Sequence, residues 1–331
     1  MKSKKIKKIL TYIIVPFMVA VFIFDIFTCI LGERLKNKVI INKEEFSKNN
    51  SLDRIHFLNT GNSDCILLES NGHFALIDCG EGSDNPRKKA ASYGYEQSVL
   101  DYLKLVCADE NGRVRLDFIL GTHWHYDHVG GFHKIINSDF IEIDKAYFKP
   151  LTKEYTKKYE LTRWGLEGIA EKIIDDLENK GVALETQIPR EMAFGDFTLN
   201  FFNLEKRDEY INAGENCESI GILVTKGEKN AFLCADITKT SGSEDAVINE
   251  LKKVNLLKIG HHGYFGSSSV KFLKVLEPDI AIVTNYAGKI YPNVKWNLTL
   301  FARTPVFGTP EYDGIIASFT DEGEIELTCG K

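Results

Sequence analysis

Hydrophobic and polar positions follow three patterns along this chain. At the amino end, Ile9 to Leu31 is apolar except for Thr11, Tyr12, Asp25, Thr28 and flanking small residues, and Lys2, Lys4, Lys5, Lys7 and Lys8 precede it. A run of this length matches the ~20 residues a helix needs to cross a bilayer. It is longer than the apolar core of a cleaved export signal, shows no clear small-x-small cleavage site, and Phe27-Thr28-Cys29 makes a poor lipobox. The pattern predicts a basic cytoplasmic tail (1–8), an uncleaved transmembrane signal anchor (9–31), a polar linker (32–52) and a domain over 53–331. By the positive-inside rule the lysines stay in the cytoplasm, which puts the domain outside a membrane crossed once, with Asp25 near the outer interface. A cleaved signal and a secreted domain form the alternative.

The second pattern is a series of short apolar runs bounded by turn residues. Arg54–Leu58, Cys65–Glu69 and His73–Asp78 read as an antiparallel meander, with Asn59–Asp64 as its first turn. Further strands are predicted at 117–120, 141–148, 183–188, 197–203, 220–226, 230–235, 256–259 and 279–284, with a closing hairpin near 314–328. The third pattern is helical. Apolar positions 99, 100, 103, 106 and 107 predict a helix over 95–108, and others are expected at 159–180, 244–253 and 268–276. About a dozen strands mixed with helices predict a layered α/β sandwich of two sheets.

Composition narrows the partners. The net charge is −6, and the first 31 residues hold five Lys and one Asp, which leaves −10 on the remainder. That part lacks the basic field of non-specific nucleic-acid binding, so nucleic acid is the weaker partner and the membrane the stronger. Seven Cys without a Cys-x-x-Cys pair suggest neither a zinc ribbon nor a disulfide framework. Nothing in the sequence points to a protein partner.

The chemistry is concentrated in Thr122-His123-Trp124-His125-Tyr126-Asp127-His128-Val129-Gly130-Gly131, directly after an apolar strand. Alternation puts His123 and His125 on one side, and the following turn carries Asp127 and His128 to a second centre. Four candidate ligands within six residues can nucleate two divalent metals. Imidazole and carboxylate suit zinc, with manganese or iron as alternatives.

This segment resembles the metallo-β-lactamase-fold hydrolase superfamily, whose hallmark is His-x-His-x-Asp-His at a strand end. The resemblance implies a four-layer αββα sandwich. It also identifies Phe232-Leu233-Cys234-Ala235-Asp236 as the strand whose Asp bridges both metals, with Ala235 in place of the usual Gly, and Leu257–Gly263 as the strand carrying the last ligand. His261 is favoured as that ligand and His262 as a residue that supports a ligand from behind or contacts substrate, with the reverse order open. No His stands where many members carry another ligand, since His133 follows His128 too closely. Asn216-Cys217-Glu218-Ser219 there resembles the Asn-x-x-Ser of a subgroup, the metallo-β-lactamase-like domain of DNA-uptake competence proteins and the pneumococcal-type phosphorylcholine esterases.

The implied metal ligands are therefore His123, His125, Asp127, His128, Asp236 and His261, and the catalytic set is Asp127, Asp236 and His262. Asn216 or water would complete the first site. Substrate contacts are expected from Trp124, Tyr126, Asn216 and Ser219, and from Ser267 and Ser268 ahead of a helix start. Asp64 and Asp78 are expected to support the ligands from behind. The implied activity is metal-dependent hydrolysis, most simply of phosphoesters in a small molecule or envelope polymer of phosphorylcholine or teichoic-acid type. A competence-type nuclease, a β-lactamase or lactonase, and a non-catalytic binding domain are the alternatives. Asn59–Asp64 keeps only the Gly and final Asp of the competence-type Asp-Val-Gly-Gln-Gly-Asp, which weakens the nuclease reading.

Overall fold

The computed structural model describes residues 2–43, 52–84 and 94–329, with the backbone alone for residues 2–11. Two large sheets face each other. One has nine strands and begins, in spatial order, with Ile41–Lys43, Ile325–Cys329, Ile315–Phe319, Asp53–Phe57, Ile66–Ser70 and His73–Ile77, followed by Phe118–Gly121, Lys145–Phe148 and Ala183–Glu185. The other has seven, from Glu191–Phe194 through Phe197–Phe202, Gly221–Lys226, Lys229–Leu233, Leu256–Lys258 and Ile280–Val283 to Val306–Gly308.

Three apolar clusters define the layers. Ile55, Phe57, Leu68 and Leu120 of the first sheet interlock with Leu199, Phe201, Ile222 and Leu233 of the second. On the outer face of the first sheet, Leu67, Leu76 and Ile119 pack against Val99 and Leu103 of the helix Glu96–Cys107 and Ile169 and Ile173 of the helix Leu166–Lys180. On the outer face of the second, Phe232 and Leu257 pack against Phe272 and Leu276 of the helix Val270–Leu276. Strands buried on both faces explain why their sequences read as continuous apolar runs rather than alternating ones. The result is the expected αββα order of layers.

The meander is antiparallel as expected, in the register Ile55↔Leu68 and Leu68↔Ala75. Parallel pairing then joins His73–Ile77 to Phe118–Gly121 and Lys229–Leu233 to Leu256–Lys258. All four strands end on the same edge of the sandwich, and the loops that follow them build the site.

Some elements depart from the sequence pattern. The helix expected over 159–180 is two, Lys158–Thr162 and Leu166–Lys180, because Gly165 turns into the left-handed region at φ 68°. The strand expected over 141–148 is also two. Ile141–Ile143 pairs with Val114–Leu116 in a small separate sheet, and Lys145–Phe148 enters the large one. The helix expected over 244–253 is shorter and starts one residue earlier, at Ser243–Val247.

The amino-terminal helix runs from Lys2 to Lys36 and continues past the apolar run into the expected linker. Ile41–Lys43 then adds a parallel edge strand beside Ile325–Cys329. The rest of the linker, 44–51, lies outside the described residues. Among the described residues, only the segment Tyr12–Lys36 of this helix is long and apolar enough to cross a membrane.

Candidate metal centre

His123 leaves the strand Phe118–Gly121, and the short helix Tyr126–Val129 begins directly after His125, which swings Asp127 and His128 around the strand end. A Cβ on Gly131 would come within 2.3 Å of the Cys79 carbonyl oxygen, so the close approach of these two loops gives the Gly-Gly pair a packing role. Asp236 follows the strand Lys229–Leu233 after Ala235, whose φ of 45° lies in the left-handed region. His261 and His262 follow Leu256–Lys258, both at φ 49°. Left-handed backbone at non-glycine residues is costly and gathers where a site demands it.

Three strand-end loops thus converge. His123 Nε2 lies 3.8 Å from Asp236 Oδ2 and 3.2 Å from His125 Nδ1. His128 Nε2 and His262 Nε2 approach Asp236 Oδ1 to 3.2 and 3.4 Å, and Asp127 Oδ2 lies 4.0 Å from His262 Nε2. The donors form two groups that share Asp236, one with His123 and His125 and one with His128 and His262. His128 Nε2, His262 Nε2 and Asp236 Oδ1 are buried and lack hydrogen-bond partners. Buried polar atoms left unpaired are expensive. Three of them converging within coordination reach fit a divalent cation at the group of His128, His262 and Asp236.

The order of the two final histidines is the reverse of the favoured expectation. His262, fully buried, joins His128 and Asp236, because the left-handed backbone turns the second imidazole inward. His261 lies toward the opening, its side chain 29% exposed and its Nε2 3.7 Å from Asp236 Oδ2.

Asp78 and Asp64 stand behind the donors. Asp78 Oδ2 lies 2.7 Å from His128 Nδ1 and accepts the Thr122 hydroxyl at 2.8 Å. Asp64 accepts the Thr284 hydroxyl at 2.5 Å, faces His262 Nδ1 at 3.3 Å, and is paired with the fully buried Lys258 ammonium. Burial drives the His123 pKa well down, helped by His128 and His125, which keeps it a neutral donor. Burial also opposes charge on His128, but Asp236 and Asp78 outweigh it and raise its pKa well above the ordinary value.

Glu160 was not foreseen. It is carried by the short helix Lys158–Thr162, and its Oε1 stands 3.4 Å from His125 Nε2 while Oε2 accepts the N–H groups of Lys157 and Glu215. Burial raises its carboxyl, but His125 and those N–H groups bring it below the usual carboxylate value. An ionised carboxylate 3.4 Å from Nε2 favours the proton on that nitrogen, the tautomer that would leave Nδ1 of His125 for a metal. Nearby, burial pushes Glu215 up to about 8, and its Oε1 accepts the Trp124 N–H.

A cleft of about 360 Å³ opens onto the centre, with Asp127, Asp236, His125, His261 and Asn216 among its walls. Asn216 Oδ1 is buried without a partner. Trp164, Tyr159 and Tyr264 supply its aromatic surface and Thr238, Thr240 and Ser241 its hydroxyls.

Other expected contacts do not reach this cleft. Trp124 points to the opposite side of the chain from its neighbours His123 and His125, stacks on Phe148 and donates to the Lys149 carbonyl. Tyr126 is bonded to Asp84 and lines a separate groove with Lys172. Ser219, Ser267 and Ser268 are buried away from the walls, because Ser267 is turned onto the Tyr264 carbonyl and the N–H of Ser269 is taken by Glu244. His133 pairs with Asp176, and Cys217 is buried.

Glu160→Ala is expected to weaken one of two bound metal ions by about 10- to 100-fold, with partial recovery in Glu160→Gln, which keeps an acceptor for His125. Chelator-competition titration of the full chain measures this directly. Equal affinities in all three proteins would leave Glu160 without the orienting role.

Comparison with known proteins follows the same lines. A curated relative, ComE operon protein 3 of Bacillus subtilis (strain 168), is 25% identical over 229 residues, covering 68% of this chain and 25% of its own length. The chain therefore spans about a quarter of that relative. Among solved structures, the metallo-beta-lactamase fold protein YhfI from Bacillus subtilis is 12% identical with a TM-score of 0.45, covering 77% of this chain and 95% of its own. Zn(2+)-bound PqqB from Methylobacterium extorquens is 12% identical with a TM-score of 0.44, covering 74% and 85%. The family description "Metallo-beta-lactamase superfamily" matches residues 58–284, well over half the chain and all of the loops that build the centre, and the protein belongs to that superfamily.

Proposed function

We propose that the chain is a membrane-anchored hydrolase that cleaves phosphoester bonds in a cell-envelope or extracellular substrate, its catalytic domain on the outer face. The observation that carries this reading is the wall of the cleft. Thr238, Thr240 and Ser241, with Lys157 and Asn216, set hydroxyl, ammonium and amide groups around Asp127 and Asp236. The hydroxyls are held in place, with Thr238 Oγ1 and Ser241 Oγ 2.8 Å apart and Thr240 Oγ1 donating to Thr238 Oγ1 at 3.1 Å. Hydroxyl, ammonium and amide groups sharing one wall suit an anionic phosphoester better than a neutral carbonyl.

Two divalent ions, when bound, supply Lewis acidity and a water of lowered pKa. The chain's own groups do the positioning. Asp78 and Asp64 hold His128 and His262, and Glu160 holds His125. Trp164 stands edge-on to His125 at 5.2 Å and to Tyr159 at 5.0 Å, an aromatic ledge able to receive a quaternary ammonium by cation–π attraction. This supports phosphorylcholine-type esters alongside teichoic-acid-like diesters.

The test offers the metal-loaded full chain in detergent a chromogenic phosphodiester, a phosphorylcholine ester, single-stranded DNA and a chromogenic cephalosporin. Turnover of either of the first two is expected. Turnover of the cephalosporin alone, of DNA alone, or of nothing by a fully loaded protein overturns the reading.

A further inference from the structure

Beyond the amino-terminal helix, exposed large apolar side chains are scattered singly over most of the described surface, as at Leu105 and Ile211. Four others fall in one stretch of sequence, with Phe265 61%, Tyr286 44%, Tyr291 44% and Phe301 60% exposed. Single exposed apolar residues need no explanation, but exposed rings in contact with one another do, and Phe265 and Tyr291 are 6.4 Å apart.

This stretch links the cleft to the apolar helix. Tyr264 lines the cleft, and its ring lies 5.7 Å from that of Tyr291, which lies 6.4 Å from Phe265. Tyr291 leads directly into the helix Pro292–Trp296, and that helix grips the amino-terminal one. Trp296 meets Phe24 edge-on at 5.2 Å, and Lys295 Nζ lies 3.7 Å from Asp25 Oδ1 and 2.9 Å from Cys29 Sγ.

Depth follows from helix geometry. Phe24 lies about 10 Å below Leu31, the end of the apolar run, at ~1.5 Å per residue. The residues from Ile9 to Leu31 span about 34 Å, so only the last turn of that run rises above a ~30 Å hydrocarbon core. The Asp25–Lys295 ion pair then lies about 5 Å inside the outer edge of that core, a depth that interfacial elements reach. Trp296, Tyr291 and Tyr286, with Lys295 and with Lys289 placed 4.6 Å over the Tyr286 ring, are the residue types that anchor proteins at a membrane interface.

We propose that the edge formed by Phe265, Tyr286, Tyr291 and Trp296 is seated in the outer interfacial layer of the bilayer crossed by the amino-terminal helix, so that the cleft opens at the lipid surface. The inference rests on the anchored, outward-facing phosphoesterase reading and deepens it. The substrate is then a phosphoester carried on a lipid or lipid-linked polymer of the same leaflet, which reaches the metals without leaving the membrane.

The experiment uses the full chain in phosphatidylglycerol–phosphatidylethanolamine vesicles, in a Cys29→Ser background. A bimane label is placed at Phe265→Cys, at Tyr286→Cys, or at Leu105→Cys on the far helical layer. The first two labels are expected to be quenched by brominated lipid and protected from aqueous iodide, and the third to show the opposite. Iodide-accessible, lipid-unquenched labels at both 265 and 286 overturn the proposal. A second arm compares Phe265→Ser with wild type, where hydrolysis of a vesicle-borne phosphodiester should fall about fivefold and that of a water-soluble one should hold. An equal fall for both substrates, or for neither, also counts against the membrane-seated edge. Lipid-quenched labels without turnover of any phosphoester would remove the assigned chemistry and leave the surface. Turnover with water-exposed labels would do the reverse.

Discussion

Asp236→Asn is expected to abolish turnover, by on the order of 10³-fold or more in kcat/KM, and to lower metal content below one ion per chain. Asp236 is the carboxylate common to both donor groups. Its oxygens lie 3.2 Å from His128, 3.4 Å from His262, 3.7 Å from His261 and 3.8 Å from His123. Burial pushes its carboxyl pKa up, but His128, then His262 and His261, hold it well below the usual value. A neutral amide of the same size removes that charge from both groups at once. Elemental analysis and turnover check the loss, and far-UV circular dichroism checks that the fold survives. His262→Ala should behave similarly, because its imidazole is fully enclosed in the centre. His261→Ala should retain both ions, because its side chain lies at the partly open mouth. An Asp236→Asn protein that keeps two ions and near-normal turnover would end the bridging assignment.

What could be read from the sequence was what a short stretch of chain determines. His123 to His128 occupy one strand end and one turn, so alternation and a single turn place four donors without knowledge of the rest of the fold. The same alternation sends Trp124 into the core, which an aromatic residue inside a ligand motif tends to obscure. His261 and His262 could not be ordered from sequence, because the answer depends on two consecutive left-handed residues, a conformation that side-chain identity does not announce. Glu160 was hidden for a longer-range reason. The apolar spacing over 159–180 reads as one helix, and only the left-handed turn at Gly165 frees the short helix Lys158–Thr162 to carry its carboxylate against His125, 35 residues earlier in the chain. Lys258 did leave a sign, a lone cation inside the buried strand Leu256–Lys258, and a buried ammonium requires a partner from elsewhere in the fold.

That partner is Asp64, and breaking the pair gives the second large effect. Asp64→Ala is expected to destabilise the fold by about 3–5 kcal/mol, because it strands the Lys258 ammonium with only the Ala235 carbonyl, at 3.0 Å, as a remaining partner. The Thr284 hydroxyl loses its acceptor at the same time. Replacing both charges together, Asp64→Leu with Lys258→Met, should recover much of the loss, since no buried charge then remains. The pH dependence has a definite sign. Burial raises the Asp64 carboxyl, and Lys258, followed by His262, more than reverses this, so its folded pKa lies below the ordinary 3.8. A depressed carboxylate contributes stability that is complete above its unfolded pKa and is lost as the pH falls through the folded one. Thermal unfolding of the metal-free chain in detergent should therefore show a steeper fall in Tm below about pH 4 for wild type than for the double variant. An Asp64→Ala protein within about 1 kcal/mol of wild type would show that the strand carrying Lys258 can neutralise or expose its ammonium, and that the floor of the metal centre is softer than its full burial implies.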